Sequence, residues 1–399
     1  MDQLDCTVRN YFENDDNKRH YSNISDKIVD KRYEQLFRRY LNVYNYNLHN
    51  VIQPPKGFRI IPEEGCHTEQ LTEIGALQHV ILGAQLANVY RQKLNIDRSS
   101  GHKLMKVYST TYQRTFQSAF AFMYGFIDPM TSLEYKHFPN ILTTKGHLFC
   151  GSPQFCGKCD KLNYLFRSFE ETRSKLLSSN KHTIDVVFKL RALISPSNKS
   201  STFASFEALY DGVLTYLCHG SKVPCDDFNG CATTAEIEHL ISSLENHYKS
   251  ILKTKMYKKM NLMKTFGFYQ QLIDHFESLI DDENHFKFLL FSGHDVTLIP
   301  ISSVLDIYDG IIPPFASRLV FETYKNSNGN HYLRIVYNGK DLTKLAEICN
   351  SSKQCVHLQD STGTFYSLIL LDSFHHFIQD KLKELTNSDT FENACSYSI

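Results

Sequence analysis

The residues best suited to chemistry are the adjacent His294 and Asp295, which follow an apolar run at positions 286–291 and the dipeptide Ser292-Gly293. This order predicts a strand, a tight exit and the start of a helix. At the carboxyl end of a buried strand, the pair would lie where open α/β sheets bind ligands. Because an imidazole and a carboxyl group can transfer protons, catalysis is the first hypothesis; a plain structural pair is the alternative.

A second segment of the sequence also predicts a strand, a short turn and the start of a helix. Positions 106–110 predict a short strand, and Arg114 opens a helix with an apolar stripe of Phe116, Ala119, Phe120 and Met123. A cation in the first turn of a helix is opposed by the positive end of the helix dipole. An anion bound by both the helix and Arg114 would explain this placement.

Three segments together resemble the histidine acid phosphatase family, in branch 2 of the histidine phosphatase superfamily, and they occur in the family's order. They are Leu71-Thr72-Glu73-Ile74-Gly75 with Gln78-His79 and Gly83, Tyr108-Ser109-Thr110 with Arg114-Thr115 and Ser118-Ala119, and Ser292-Gly293-His294-Asp295-Val296-Thr297-Leu298. The resemblance covers most of the chain. It implies an α/β fold with a three-layer α/β/α core of the phosphoglycerate-mutase type. Within the family, the resemblance is closest to phosphatases that remove the 2-phosphate from xylose in the glycosaminoglycan linkage region.

The resemblance also implies a mechanism for phosphomonoester hydrolysis. A neutral imidazole attacks phosphorus, and water hydrolyses the resulting phosphohistidine. Arg114 and His294 would bind the phosphoryl oxygens of a phosphorylated sugar or another phosphomonoester. Asp295 would protonate the leaving alcohol and then activate water. The family needs no metal or other cofactor for this reaction.

The family's nucleophile motif, Arg-His-Gly-x-Arg, does not occur in the sequence. Arg19-His20 is followed by Tyr21-Ser22 in a charged stretch without an apolar strand, which favours a surface loop over a substitute nucleophile. Positions 4–8 resemble a family segment that comes after the motif. We therefore expect an N-terminally shortened chain that lacks the nucleophile and the first central strand of the sheet, and that is inactive or unstable alone.

Three other interpretations remain open. The first is a general acid phosphatase or an inositol polyphosphate phosphatase, although the latter usually has a strongly basic pocket and this chain balances 43 basic against 43 acidic residues. The second is a catalytically inactive protein that binds phosphorylated ligands or a partner. The third is a zinc-stabilised intracellular protein, since Cys156 and Cys159 have the spacing of a thiolate pair. The balanced charge does not suggest a nucleic-acid partner.

The chain is predicted to divide into a core and an insertion. Residues 1–135 and 246–399 are assigned to the α/β histidine-phosphatase core, and residues 136–245 to a cysteine-containing, mostly helical cap. Apolar periodicity predicts helices near 27–44, 72–92 and 256–280, and a β-hairpin that pairs 319–324 with 332–337.

Eleven cysteines and three glycosylation sequons, at Asn23, Asn198 and Asn350, favour disulfides and the secretory pathway. The odd number leaves at least one thiol unpaired within the chain. Positions 1–6 do not form a signal peptide, and no apolar run reaches the ~20 residues of a bilayer span. The resemblance implies a Golgi lumenal enzyme with a single N-terminal anchor, which would have to lie outside this sequence.

Overall fold

A computed structural model describes residues 31–43, 54–63, 69–96, 101–127, 138–144, 147–150, 159–194, 205–219, 222–281, 286–350, 353–359, 363 and 365–396. Its α-helices are α1 (Lys31–Leu41), α2 (Glu73–Tyr90), α3 (Gln113–Ile127), α4 (Asp160–Leu177), α5 (Lys181–Ile194), α6 (Phe206–Cys218), α7 (Thr234–Ile251), α8 (Lys255–Ile280), α9 (Asp295–Val304), α10 (Leu371–Thr386) and α11 (Phe391–Cys395). Its strands are β1 (Met105–Ser109), β2 (Ile141–Thr143), β3 (Cys225–Asp226), β4 (Gly230–Cys231), β5 (Phe288–Ser292), β6 (Leu319–Lys325), β7 (His331–Tyr337), β8 (Lys340–Asp341), β9 (Cys355–Gln359) and β10 (Phe365–Leu370).

Two compact units make up the chain. The first contains residues 1–143, 174–247 and 286–292, and the second contains residues 144–173, 248–285 and 293–399. The boundaries predicted from the sequence, a core at 1–135 and 246–399 and a cap at 136–245, stay a prediction. Residues assigned to that cap form α4, α5, α6 and most of α7, together with the short β3–β4 hairpin.

The first unit is built on a parallel sheet in the order β2-β1-β5. Both β1 and β5 are short apolar runs, and a parallel pair of this kind needs helices against its faces. Helix α3 follows β1 and stacks the Phe126 ring on Phe288 of β5, with centroids 4.6 Å apart. A parallel sheet covered by helices confirms the predicted α/β class.

Helices α2 and α3 pack against each other through glycines. A Cβ atom on Gly83 would collide with the carbonyl oxygen of Phe122, and one on Gly125 would collide with the carbonyl oxygen of Val80. Only glycine allows the two helix backbones to approach so closely.

The start of α2 is fixed by a chain of polar contacts. The Thr72 hydroxyl accepts from the Gly75 amide at 3.1 Å, as an N-cap should. The same hydroxyl lies 2.9 Å from Nε2 of His219, whose Nδ1 lies 2.7 Å from the carbonyl oxygen of Thr215 in α6. Because that carbonyl can only accept, Nδ1 carries the proton and Nε2 accepts from Thr72.

The second unit contains an antiparallel sheet in the order β6-β7-β10-β9, with β8 paired to β7. The register Leu319↔Tyr337 to Lys325↔His331 confirms the predicted hairpin. Helix α8 packs on α9 and α10, and the Tyr269 hydroxyl donates to the carbonyl oxygen of Ile301 at 2.7 Å.

No described helix has both the length and the apolar character that a membrane span requires.

Disulfides account for most of the described cysteines. Cys159 pairs with Cys395 across 236 positions, and two small loops are closed by Cys225–Cys231 and Cys349–Cys355. Cys150 is also disulfide-bonded, whereas Cys218 is a free thiol whose pKa is raised by burial. Because Cys159 is oxidised, the predicted zinc pair is wrong; its other member, Cys156, lies outside the described residues, as do Cys6, Cys66, Asn23 and Asn198.

The glycine contact predicts a severe packing defect in Gly125→Ala. The added methyl group must push α2 and α3 apart, so we expect the free energy of unfolding to fall by ~2 kcal/mol or more. Asn88→Ala, at an exposed site of α2, is the control and should be neutral or slightly stabilising, because alanine is the better helix former. Urea denaturation of both variants measures the difference, and equal stabilities would contradict the tight crossing.

His79 on α2 predicts a pH dependence of stability. Burial lowers its pKa from 6.5 to about 4, so the folded state binds this proton more weakly than the unfolded state. The contribution of neutral His79 to the free energy of unfolding is therefore fully present above pH 6.5, and it is lost as the pH falls towards 4. Between pH 7 and pH 4.5 we expect the wild type to lose ~2 kcal/mol more than His79→Gln, as measured by denaturation at each pH.

Candidate active site

The two predicted strand-to-helix connections begin on the neighbouring strands β1 and β5. Ser109, the last residue of β1, is in register with Ser292, the last residue of β5. The amide of Thr110 donates to the carbonyl oxygen of Ser292 at 3.2 Å, and the Ser292 hydroxyl donates to the carbonyl oxygen of Thr115 at 2.8 Å. Because the strands are parallel, the chain leaves both of them at the same edge of the sheet.

A buried hydroxyl cluster shapes the turn between β1 and α3. The Thr115 hydroxyl donates to the carbonyl oxygen of Tyr112 at 2.8 Å and lies 2.5 Å from the Thr110 hydroxyl. The Ser109 hydroxyl donates to the carbonyl oxygen of Thr110 at 3.0 Å. These contacts satisfy polar groups that are largely removed from solvent, and they hold the first turn of α3 in place.

Arg114 is the second residue of α3, and its amide donates to the carbonyl oxygen of Glu69 at 3.1 Å. Its half-buried guanidinium lies over the Tyr112 ring, 4.7 Å from the centroid. Among the described residues, nothing hydrogen-bonds or ion-pairs with this guanidinium. The Nε2 atom of Gln113, also buried, has no hydrogen-bond partner there either. Two uncommitted donors therefore stand at a helix N-terminus, where anions are favoured.

Gln117 is a residue that sequence reasoning did not single out. Its fully buried side chain accepts from the Leu71 amide at 2.9 Å and donates to the carbonyl oxygen of Ile61 at 3.0 Å. It thus ties the segment before α2 to the first turns of α3. A polar amide directly beside the apolar stripe of Phe116, Ala119 and Phe120 was the available signal.

His294 and Asp295 occupy the N-terminus of α9, as predicted, with His294 as the N-cap and Asp295 as the first helical residue. The His294 amide donates to the Thr297 hydroxyl at 3.2 Å. A Cβ atom on Gly293 would lie 2.8 Å from that hydroxyl, so the tight exit requires glycine. His294 is half-buried and Asp295 is exposed, which leaves the carboxylate accessible at the positive end of the helix dipole.

The predicted site residues thus belong to two segments with a common origin at the sheet edge. Arg114 lies in the first unit, and His294 and Asp295 lie in the second. Arg19 and His20 lie outside the described residues.

A family model described as the histidine phosphatase superfamily (branch 2) matches residues 16–338. Among curated proteins, the chain is similar to 2-phosphoxylose phosphatase 1 of Mus musculus, with 27% identity over 71% of this chain and 58% of the mouse protein. It is also similar to 2-phosphoxylose phosphatase 1 of Xenopus tropicalis (26%, covering 83% and 63%) and prostatic acid phosphatase of Bos taurus (24%, covering 68% and 69%). The chain therefore spans about 58% of the mouse relative's length.

Among solved structures, a phytase of Hafnia alvei superposes with a TM-score of 0.52 at 15% identity, covering 84% of this chain and 91% of the phytase chain. The phytase from D. castellii gives a TM-score of 0.51 at 16% identity, covering 92% and 77%. At these identities the likeness concerns the fold alone.

The hydroxyl cluster predicts a cost for Thr115→Val. The substitution keeps the side-chain volume but removes a hydroxyl that two buried groups use, so we expect a loss of ~1–3 kcal/mol in unfolding free energy. Thr323→Val, at an exposed position of β6, is the matched control and should change little. Denaturant midpoints measure both, and equal values would contradict a structural role for the cluster.

Proposed function

Because the chain belongs to branch 2 of the histidine phosphatase superfamily, we propose that it recognises a phosphomonoester with Arg114 and His294 and transfers protons with Asp295. The observation that carries this proposal is the Arg114 guanidinium, which is half-buried at a helix N-terminus and is not engaged by any described residue. A half-buried cation without a counter-ion is less favourable than a paired one, and a bound anion would supply the missing partner.

The strand pairing gives the two proposed binding segments a common starting point. Each leaves the sheet beside the Ser109–Ser292 pair, and Arg114 and His294 are five and two positions beyond it. A planar guanidinium and an imidazole can each bind phosphoryl oxygens and spread the negative charge that develops during transfer. The exposed Asp295 carboxyl group would protonate the leaving alcohol, which otherwise departs as an unstable alkoxide.

We further propose a phosphorylated sugar as the substrate, with 2-phosphoxylose as the first compound to test, because relatives of that name cover most of the chain. The described disulfides support a secretory, Golgi-type compartment, since such bonds persist in oxidising environments. A general acid phosphatase is the same proposal with a broader range of phosphomonoester substrates.

Covalent catalysis needs an attacking histidine, and the 399 residues contain no Arg-His-Gly-x-Arg run. We therefore expect these residues alone to bind phosphomonoesters without sustained turnover. The same observation favours a second candidate function, a protein that binds phosphorylated ligands without hydrolysing them. An Arg-His-Gly-x-Arg run encoded in frame upstream would favour the enzyme, and its absence would favour the binding protein.

Phosphate binding tests the proposed role of Arg114. We expect Arg114→Gln to weaken binding of inorganic phosphate, measured by calorimetry, by ~10-fold or more, because a charge-assisted contact is lost. Arg38→Gln, at an exposed position on α1 that pairs with Glu34, removes the same charge and should bind as the wild type does. Equal affinities for all three proteins would contradict the assignment.

A separate assay tests hydrolysis. The 399-residue chain is incubated with 4-nitrophenyl phosphate and with 2-phosphoxylose, and phosphate release is followed. We expect no sustained release. Turnover that Asp295→Asn abolishes would show that the chain already contains its nucleophile.

A further inference from the structure

The guanidinium of Arg114 is held by an aromatic ring and not by a carboxylate. It lies 4.7 Å from the centroid of the Tyr112 ring, and no described residue hydrogen-bonds or ion-pairs with it. Arg173 and Arg334 also lie over rings, each at 5.6 Å from the centroid, but both are paired with carboxylates as well. Of these three arginines, Arg114 has the shortest distance to a ring and the only charge that no described carboxylate compensates.

An aromatic ring and a carboxylate orient an arginine in different ways. A carboxylate accepts hydrogen bonds from the guanidinium and neutralises its charge, so a ligand would have to compete with it. A ring attracts the cation through its quadrupole, but it carries no net charge and no carboxylate oxygen. An arginine that rests on a ring therefore keeps its charge and its N–H groups available to an anion.

Backbone contacts hold both residues at the start of α3. The carbonyl oxygen of Tyr112 accepts from the Thr115 hydroxyl at 2.8 Å and from the Phe116 amide at 3.2 Å. The Arg114 amide donates to the carbonyl oxygen of Glu69 at 3.1 Å. None of these bonds involves the Tyr112 ring. Removing the ring should therefore release the Arg114 side chain while the turn keeps its hydrogen bonds.

We propose that Tyr112 is a positioning residue for Arg114: its ring holds the guanidinium in place without neutralising it. The inference rests on the proposed function, in which Arg114 binds the phosphoryl oxygens of a phosphomonoester. In this arrangement the ligand is the counter-ion of Arg114, whereas the chain itself supplies the counter-ions of Arg173 and Arg334. Because the attraction comes from the ring face, the Tyr112 hydroxyl is not needed for it.

Phosphate binding to the 399-residue chain, measured by calorimetry, tests this role. We expect Tyr112→Leu to weaken binding of inorganic phosphate by ~3-fold or more, because the cation–π contact is lost, and Tyr112→Phe to bind as the wild type does. Tyr164→Leu is the matched control: it removes an exposed ring of α4 whose centroid lies 5.5 Å from the Lys161 ammonium group, and binding should not change. Equal affinities of the wild type and Tyr112→Leu would overturn the proposal.

A double-mutant cycle separates positioning from a general structural role. If the ring acts through Arg114, Tyr112→Leu has no further effect on phosphate affinity in the Arg114→Gln background. The same loss of affinity in both backgrounds would show that Tyr112 acts independently of Arg114, and the proposal would be wrong.

An NMR measurement separates this inference from the proposed function. The Nε–H signal of Arg114, identified by its absence in Arg114→Gln, should be shifted upfield by the Tyr112 ring; the shift should be lost in Tyr112→Leu and kept in Tyr112→Phe. A signal that Tyr112→Leu leaves in place would overturn the inference. If the wild type does not bind phosphate, the proposed function fails, while this signal still decides whether Tyr112 holds the guanidinium.

Discussion

The parallel pairing of β1 with β5 is the constraint on which the candidate site depends. Five residues of each strand are in register, and the pairing ends at Ser109 and Ser292. The Ser292 hydroxyl then reaches across to the backbone of α3, so one side chain connects the end of β5 to the helix that follows β1. A one-residue slip of this register would shift the two turns relative to each other and would also flip the side chains of β5 to the opposite face.

The packing of α2 against α3 then fixes the position of Arg114 relative to the sheet. The glycine contacts bring the helix backbones together, and Gln117 joins the segment before α2 to α3. The Arg114 backbone is held by its bond to Glu69 and its guanidinium rests on Tyr112. These contacts restrict the Arg114 backbone and side chain, and such restriction would favour the proposed binding of an anion, because less conformational entropy would be lost.

Much of this architecture could be predicted from the sequence, because it depends on local patterns. Apolar periodicity located β1, β5 and α8 to within a few residues, Thr72 marked the start of α2, and the turn-rich segment at 326–330 located the β6–β7 hairpin. The role of Gln117 could not be predicted, because it depends on residues far away in sequence. The pairing of Cys159 with Cys395 was equally unreadable, since spacing does not determine connectivity. The zinc interpretation failed for that reason.

That disulfide makes a covalent ring of most of the polypeptide. Under the chain-entropy model, closing a loop of 236 positions disfavours the unfolded ensemble by ~5 kcal/mol. It also means that a protease that cuts once anywhere between the two cysteines releases no fragment, because both pieces remain tethered until the bond is reduced. A single cut in a loop inside this ring would therefore not be detected on a non-reducing gel.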